Sequence, residues 1–405
     1  MGEIFKIRKF CASCTGNHLE TIWEFGDTPL AGYFPKPSER NGQNMIPMTL
    51  IGCSDCGLVQ ILQDISDSWL FKDYRYISSI GMAQHFLNFG EWFESQSYTD
   101  KAIEILEIGC NDGPLLEVLR NSGYNPIGID PALNIVKIAH TKGLNVINDF
   151  FSIDTVNKYS FIKKYDVVIS CNSFAHISEI RAIAEAVSLA LKNTGHFIVE
   201  VQSIAALLES KAIDFIYHEH KYYYSIQTLS NLMKQFGLHL VDGSLIETHG
   251  GSYRLVFVKG REKPSLSIEE MIRNESNIDL TFPQITKGIS NFIETIKSIS
   301  DYLNREFNSG KRIIAFGASG RGNILLHNLN ISNILKYVLD ESPERVGRLM
   351  ALSGIPVEDF SELDEADYDI CIILAWNYSE AIQKKWHHKN KLLITPLPQM
   401  TFYRT

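Results

Sequence analysis

Ala102-Ile-Glu-Ile-Leu-Glu-Ile-Gly-Cys-Asn-Asp-Gly-Pro-Leu-Leu-Glu-Val-Leu-Arg120 is the stretch on which the fold turns. It opens as an apolar run of strand length, breaks at Gly109-Cys-Asn-Asp-Gly113, and resumes from Pro114 with helical spacing. Strand, glycine turn and helix in that order begin a doubly wound α/β domain. Asn125-Pro-Ile-Gly-Ile-Asp130, Asp166-Val-Val-Ile-Ser170 and His196-Phe-Ile-Val-Glu-Val201 supply further strands, with helical stretches between them.

The turn also bears on the ligand. Dinucleotide domains carry Gly-x-Gly-x-x-Gly because a pyrophosphate must sit at the helix N-terminus. Here the pattern from Glu107 is Glu-x-Gly-x-Asn-x-Gly, through Gly109, Asn111, Asp112 and Gly113. S-adenosylmethionine has no phosphate, so the middle glycine matters less, and an acid beside the loop suits its cationic amino group. Asp130, ending the second strand, can accept hydrogen bonds from both ribose hydroxyls. These features favour S-adenosylmethionine over NAD. Asp149 and Phe150, after a further strand between Asp130 and the 166–170 strand, are then expected near the adenine, the alternative for Asp149 being a solvated loop acid. Asn172 and His176 follow the 166–170 strand, at the sheet edge where open α/β folds bind ligands.

Outward from this domain lie two Cys-x-x-Cys pairs, Cys11/Cys14 and Cys53/Cys56. Four thiolates from two tight turns suit a closed structural Zn²⁺ site with no open position for catalysis. Unpaired thiols are the rival reading, and a redox pair is disfavoured because no βαβ pattern surrounds either. The insert between the pairs, with Trp23-Glu-Phe-Gly-Asp-Thr-Pro-Leu-Ala-Gly-Tyr-Phe34, is expected to carry strands of its own. A formal charge of -9 argues against a nucleic-acid partner. No apolar run is long enough to span a bilayer, and the first residues lack a secretory apolar core. A cytoplasmic protein with no membrane partner is therefore expected.

The densest chemistry lies at Asp214-Phe-Ile-Tyr-His-Glu-His-Lys-Tyr-Tyr-Tyr-Ser225. Histidines two apart do not share a helix face, so a metalloprotease-like site is excluded. Several ionisable groups in an aromatic stretch suit acid–base work on a polar substrate. The competing reading is a solvated aromatic loop. His218 alternates with its neighbours in extended chain, leaving it open between structure and catalysis. Tyr222, Tyr223 and Tyr224 read as packing.

With these motifs in hand, the chain resembles the nucleotide-sugar C-methyltransferases along essentially its whole length. The resemblance rests on both cysteine pairs, Tyr74-Arg-Tyr76-Ile-Ser-Ser79, Glu107–Gly113 and Asn172-Ser-Phe-Ala-His176. It also rests on Tyr217-His-Glu-His220, His249-Gly-Gly-Ser-Tyr-Arg254 and Ala315-Phe-Gly-Ala-Ser-Gly-Arg-Gly322. It implies methyl transfer from S-adenosylmethionine to C3 of a nucleotide-diphosphate 4-keto-6-deoxy sugar, through an enolate, by a monomer. It further implies His220 as base, Glu219 as its orienting or relaying partner, and Tyr76, His176 and Tyr217 as groups that polarise the ketone or hold the sugar.

The expected organisation is a zinc-binding module at 1–68, a central doubly wound methyltransferase domain at 69–260 and a C-terminal Rossmann-like α/β domain at 261–405. In the last, Lys311–Phe316, the glycine turn Gly317–Gly322 and a following helix repeat the opening motif. That turn is expected to help hold the substrate's diphosphate or nucleoside, with Arg321 adding charge. A second dinucleotide site and a scaffold that binds nothing are its alternatives. Two other functions stay open: an O- or N-methyltransferase of another small molecule, and a non-enzymatic zinc-binding interaction protein.

Overall fold

In the computed structural model, residues 4–42, 45–71, 74, 76–260, 262–351, 353–388 and 390–405 are described. The chain forms two compact units, each threaded by three segments. The first takes Met1–Thr21, Ile51–Ala206 and His220–Leu280, and the second Ile22–Leu50, Leu207–Glu219 and Thr281–Thr405.

The first unit is built on a seven-stranded sheet. Its strands are β1 (Ile105–Ile108), β2 (Ile127–Asp130), β3 (Val146–Asn148), β4 (Tyr165–Cys171), β5 (Leu191–Gln202), β6 (Leu238–Ile246) and β7 (Ser252–Lys259). They lie in the order β6-β7-β5-β4-β1-β2-β3. β1 to β5 pair in parallel, while β7 runs antiparallel to both β5 and β6. This is the doubly wound order with one reversed strand inserted near an edge. Its central strands are buried on both faces, so they read as continuous apolar runs. Leu106, Val168, Phe197 and Val199 enter one core. Ile105, Val167, Ile169 and Ile198 enter the other, beneath α1 (Ala83–Glu94) and α2 (Pro114–Asn121). Helices α3 (Leu133–Thr141), α4 (Ile180–Ala190) and α5 (Ile226–Lys234) complete the framework. Cys11, Cys53 and Leu58 lie in the first of these cores with Phe174, Tyr222 and Tyr224, so the cysteine turns share the sheet's apolar interior.

The second unit has a six-stranded sheet of β8 (Ile313–Phe316), β9 (Leu335–Asp340), β10 (Val357–Asp359), β11 (Ile370–Ile373), β12 (Leu392–Thr395) and β13 (Thr401–Arg404). The order is β10-β9-β8-β11-β12-β13, with all pairs parallel except β12–β13. Two helices precede it in the chain, Leu266–Ser276 and α6 (Phe282–Asn308), the former in the first unit. Along α6, Ile285, Ile289, Phe292, Ile296, Ile299 and Leu303 are buried at alternating spacings of four and three, one apolar stripe. Helix α7 (Gly320–Leu329) follows the second glycine turn.

Candidate active site and zinc centre

The turn after β1 owes its sequence to backbone handedness. Gly109, Asn111 and Gly113 have φ of 69°, 52° and 78°, all left-handed. Glycine meets no penalty there, and asparagine tolerates that region better than most residues. The asparagine that departs from the dinucleotide pattern therefore serves a conformational need. Its side chain ties in a second segment: Oδ1 accepts from Ser78 N–H at 3.0 Å and Nδ2 donates to the Tyr76 carbonyl at 3.1 Å. Asp112 accepts from Ser79 N–H at 3.1 Å and pairs with Lys142 at 2.6 Å. Tyr76 is thus fixed beside the loop with its side chain exposed, while Arg75, part of the same motif, lies outside the described residues.

The loop is ringed by carboxylates. Asp130 accepts from the amides of Asn111 and Ala132, each at 2.9 Å, yet burial pushes it up to about 6. Burial raises Glu107 well above the usual carboxylate range, and repulsion from Asp130, Glu200 and Asp112 adds to it. Glu107 Oε2 is buried without a hydrogen-bond partner among the described residues. An orphaned acceptor among like charges fits a cationic amino group, which S-adenosylmethionine carries. Asp149 is held by Lys158 at 2.7 Å and by Tyr159 at 3.2 Å, which keeps its carboxyl below the ordinary value. Phe150 is exposed beside it, its ring 6.5 Å from that of Phe71. Asn172, also left-handed at φ 55°, donates to Glu200 at 3.3 Å.

Glu200 was not singled out in the sequence. It is fully buried and accepts from Arg254 at 2.6 Å, with His85 at 2.8 Å. Burial alone would raise its carboxyl, but those two partners hold it below the ordinary range. Its position, a lone acid near the C-terminal end of an apolar strand, was the available signal.

His176 and His220 come together, their rings 4.9 Å apart at 78°. The anchor is Lys221, whose N–H donates to the Ala175 carbonyl at 2.9 Å. Its fully buried ammonium meets Asp64 at 3.0 Å, Asp67 and Ser178. Tyr222 and Tyr223 pair with the strand Val59–Ile61, and all three tyrosines are buried, which excludes a solvated loop.

In the second unit, Tyr217 packs on Phe215 with ring centroids 5.9 Å apart, and Glu219 accepts from Gly32 N–H at 2.8 Å. His218 is buried, 3.1 Å from the Pro47 carbonyl and 3.5 Å from Thr28 Oγ1. Burial lowers it to about 4, a structural histidine. Arg321 corrects the expectation of free charge at the second glycine turn. It makes a two-pronged pair with buried Asp214, at 3.1 and 2.9 Å, and lies over the rings of Phe215 and Trp376. Trp376 Nε1 donates to the same carboxylate at 2.9 Å. The turn itself is capped by Ser319, which accepts from Gly322 N–H at 3.0 Å.

The four cysteine sulfurs all lie within 4.8 Å of one another. Cys11–Cys56 and Cys14–Cys53 are each 3.6 Å apart, and a Zn–S tetrahedron has edges of about 3.8 Å. Paired turns shape both grips: Thr15 N–H to the Cys11 carbonyl at 3.0 Å, and Gly57 N–H to the Cys53 carbonyl at 2.7 Å. The donor set fits zinc and is closed.

A doubly wound sheet, an acid-ringed left-handed turn and a four-thiolate zinc site define an S-adenosylmethionine-dependent methyltransferase with a zinc-binding domain. Three family models match in sequence: a zinc binding domain at residues 11–71, a methyltransferase domain at 71–242 and a C-methyltransferase C-terminal domain at 247–398. C-methyltransferase NovU of Streptomyces niveus is 26% identical over 414 residues, covering 98% of each chain. The chain thus resembles, in order and along nearly its whole length, the domains of zinc-binding C-methyltransferases, and is an S-adenosylmethionine-dependent C-methyltransferase. Among solved structures, magnesium protoporphyrin IX methyltransferase from Synechocystis PCC 6803 is 15% identical, covering 45% of this chain and 81% of its own, with a TM-score of 0.34. The PH0226 protein of Pyrococcus horikoshii is 16% identical, covering 46% of this chain and 94% of its own, with a TM-score of 0.36. No helix among the described residues is long and apolar enough to cross a membrane.

Proposed function

We propose that the acceptor is C3 of a nucleotide-linked 4-keto-6-deoxyhexose and that the reaction runs through an enolate. The observation that carries this reading is the His176–His220 imidazole pair, 4.9 Å apart and locked by Lys221, in a chain whose relative is a C-methyltransferase. Carbon is a poor nucleophile until it loses a proton, whereas oxygen and nitrogen acceptors need less acid–base machinery. A C4 ketone makes the C3 proton removable by spreading the resulting charge onto oxygen. S-adenosylmethionine, when bound, supplies an electrophilic methyl group. The chain's own residues generate the nucleophile. His220 takes the C3 proton, and Glu219, its neighbour in sequence, orients it or passes that proton on. Tyr76, His176 and Tyr217 hold the sugar or donate toward the C4 oxygen, where charge develops. Glu107, Gly109, Asn111, Asp112, Gly113, Asp130, Asp149, Phe150 and Asn172 form the cofactor's surroundings. The capped turn at Gly317–Gly322 offers backbone N–H groups to the diphosphate, without the guanidinium of Arg321.

The test is mass spectrometry with S-adenosylmethionine and a panel of dTDP- and GDP-4-keto-6-deoxyhexoses in deuterated water. A product heavier by one methyl, with solvent deuterium at C3 of unconverted sugar, is expected, and His220→Ala abolishes both. Methylation at oxygen or nitrogen, or His220→Ala retaining near-wild-type turnover, refutes the mechanism.

A further inference from the structure

The insert between the cysteine pairs runs through the second unit as a strap, 30–35, held by its carbonyls. Asn323 Nδ2 donates to the Ala31 carbonyl at 2.9 Å and to that of Tyr33 at 3.4 Å. Arg348 donates to the Phe34 carbonyl at 3.2 Å and Leu349 N–H to that of Pro35 at 2.9 Å. One N–H of the strap, that of Gly32, points to Glu219.

The Ala31 carbonyl and the Gly32 N–H belong to one peptide group, planar and trans, so they project to opposite sides. A continuous hydrogen-bond chain results. Ala351 N–H donates to Asn323 Oδ1 at 3.0 Å, and Asn323 Nδ2 to the Ala31 carbonyl at 2.9 Å. Gly32 N–H then donates to Glu219 Oε1 at 2.8 Å. Each bond polarises the next in the same sense, which strengthens the last donor. Asn323 is only 2% exposed, so its amide dipole is not diluted by water. A Cβ at 32 would stand 2.8 Å from Glu219 Oε1, so any larger residue there would have to displace that carboxylate.

We infer that Asn323 is a positioning residue for Glu219, acting through the Ala31–Gly32 peptide. The functional consequence rests on the role proposed above for Glu219. Burial raises the Glu219 carboxyl and the Gly32 N–H draws it back, so loosening that donor raises it further.

The test uses full-length enzyme with Asn323→Leu, which is close in shape but has no amide, and Asn323→Asp, which keeps the acceptor for Ala351 and loses the donor. The second variant carries the test if the first does not fold. Glu219 is titrated by carbon NMR of its labelled carboxyl, assigned with Glu219→Gln, and turnover is measured both with Glu219 intact and in the Glu219→Gln background. The expected result is a Glu219 midpoint moved to higher pH and kcat lower by roughly tenfold, about the worth of one hydrogen bond to a charged group. S-adenosylhomocysteine affinity stays unchanged, and no further loss appears in the Glu219→Gln background. An unmoved Glu219 midpoint, or the full extra loss in the Glu219→Gln background, overturns the inference. A moved midpoint with wild-type turnover in Glu219→Gln supports the positioning and overturns the catalytic role of Glu219 instead.

Discussion

Asn111 does two things that substitution can separate. It holds a left-handed φ of 52°, and it makes two hydrogen bonds that tether the segment around Tyr76. Asn111→Gly keeps the conformation and loses the bonds. At about 1 kcal/mol for each neutral bond, it should destabilise the folded enzyme by about 2 kcal/mol. Asn111→Ala loses the same bonds and adds left-handed strain of about 1–2 kcal/mol, offset in part by alanine's smaller unfolded-state entropy. It should fall about 1 kcal/mol below Asn111→Gly, a factor of about five in the folding equilibrium. Urea unfolding of the three proteins measures the order, and calorimetry with S-adenosylhomocysteine shows how much of it reaches cofactor binding. Wild type, then Gly, then Ala is the expected ranking. Asn111→Ala equal to or more stable than Asn111→Gly would refute the claim that handedness selected the residue at this turn.

If Glu107 faces the amino group as proposed, Glu107→Gln should weaken cofactor binding by roughly ten- to a hundredfold, since it removes a negative partner. The same change should stabilise the cofactor-free protein at alkaline pH. A carboxyl raised by folding makes stability fall as pH climbs from the unfolded value, about 4.3, through the raised one, and the gain should vanish in acid. Melting curves across pH with and without S-adenosylhomocysteine check both statements. Metal analysis should find one zinc ion per chain, and Cys14→Ser should lose it together with roughly several kcal/mol of stability. Arg321→Ala strands Asp214 in the interior and should cost about 3–5 kcal/mol, part of which Asp214→Asn in the same chain recovers.

Much of this protein is local enough to be read in one dimension. The strand–turn–helix at 102–120, the parallel strands and the two cysteine pairs are patterns of period, handedness and spacing, which neighbouring residues dictate among themselves. The left-handed turn residues Gly109, Asn111 and Gly113 belong here too, because only a few residue types tolerate that backbone. Partnership between distant segments is different, since it depends on burial. Tertiary packing decided that Lys221, an unremarked lysine in an aromatic run, locks His220 against the 175–178 loop through two aspartates from 64–67. It also turned Arg321 away from the glycine turn to Asp214, made Glu200 the centre of an Arg254–His85 network, and placed Gly32 under Glu219. A charge taken from water must find its counter-charge wherever the fold brings one, and nothing in the flanking residues says where that will be.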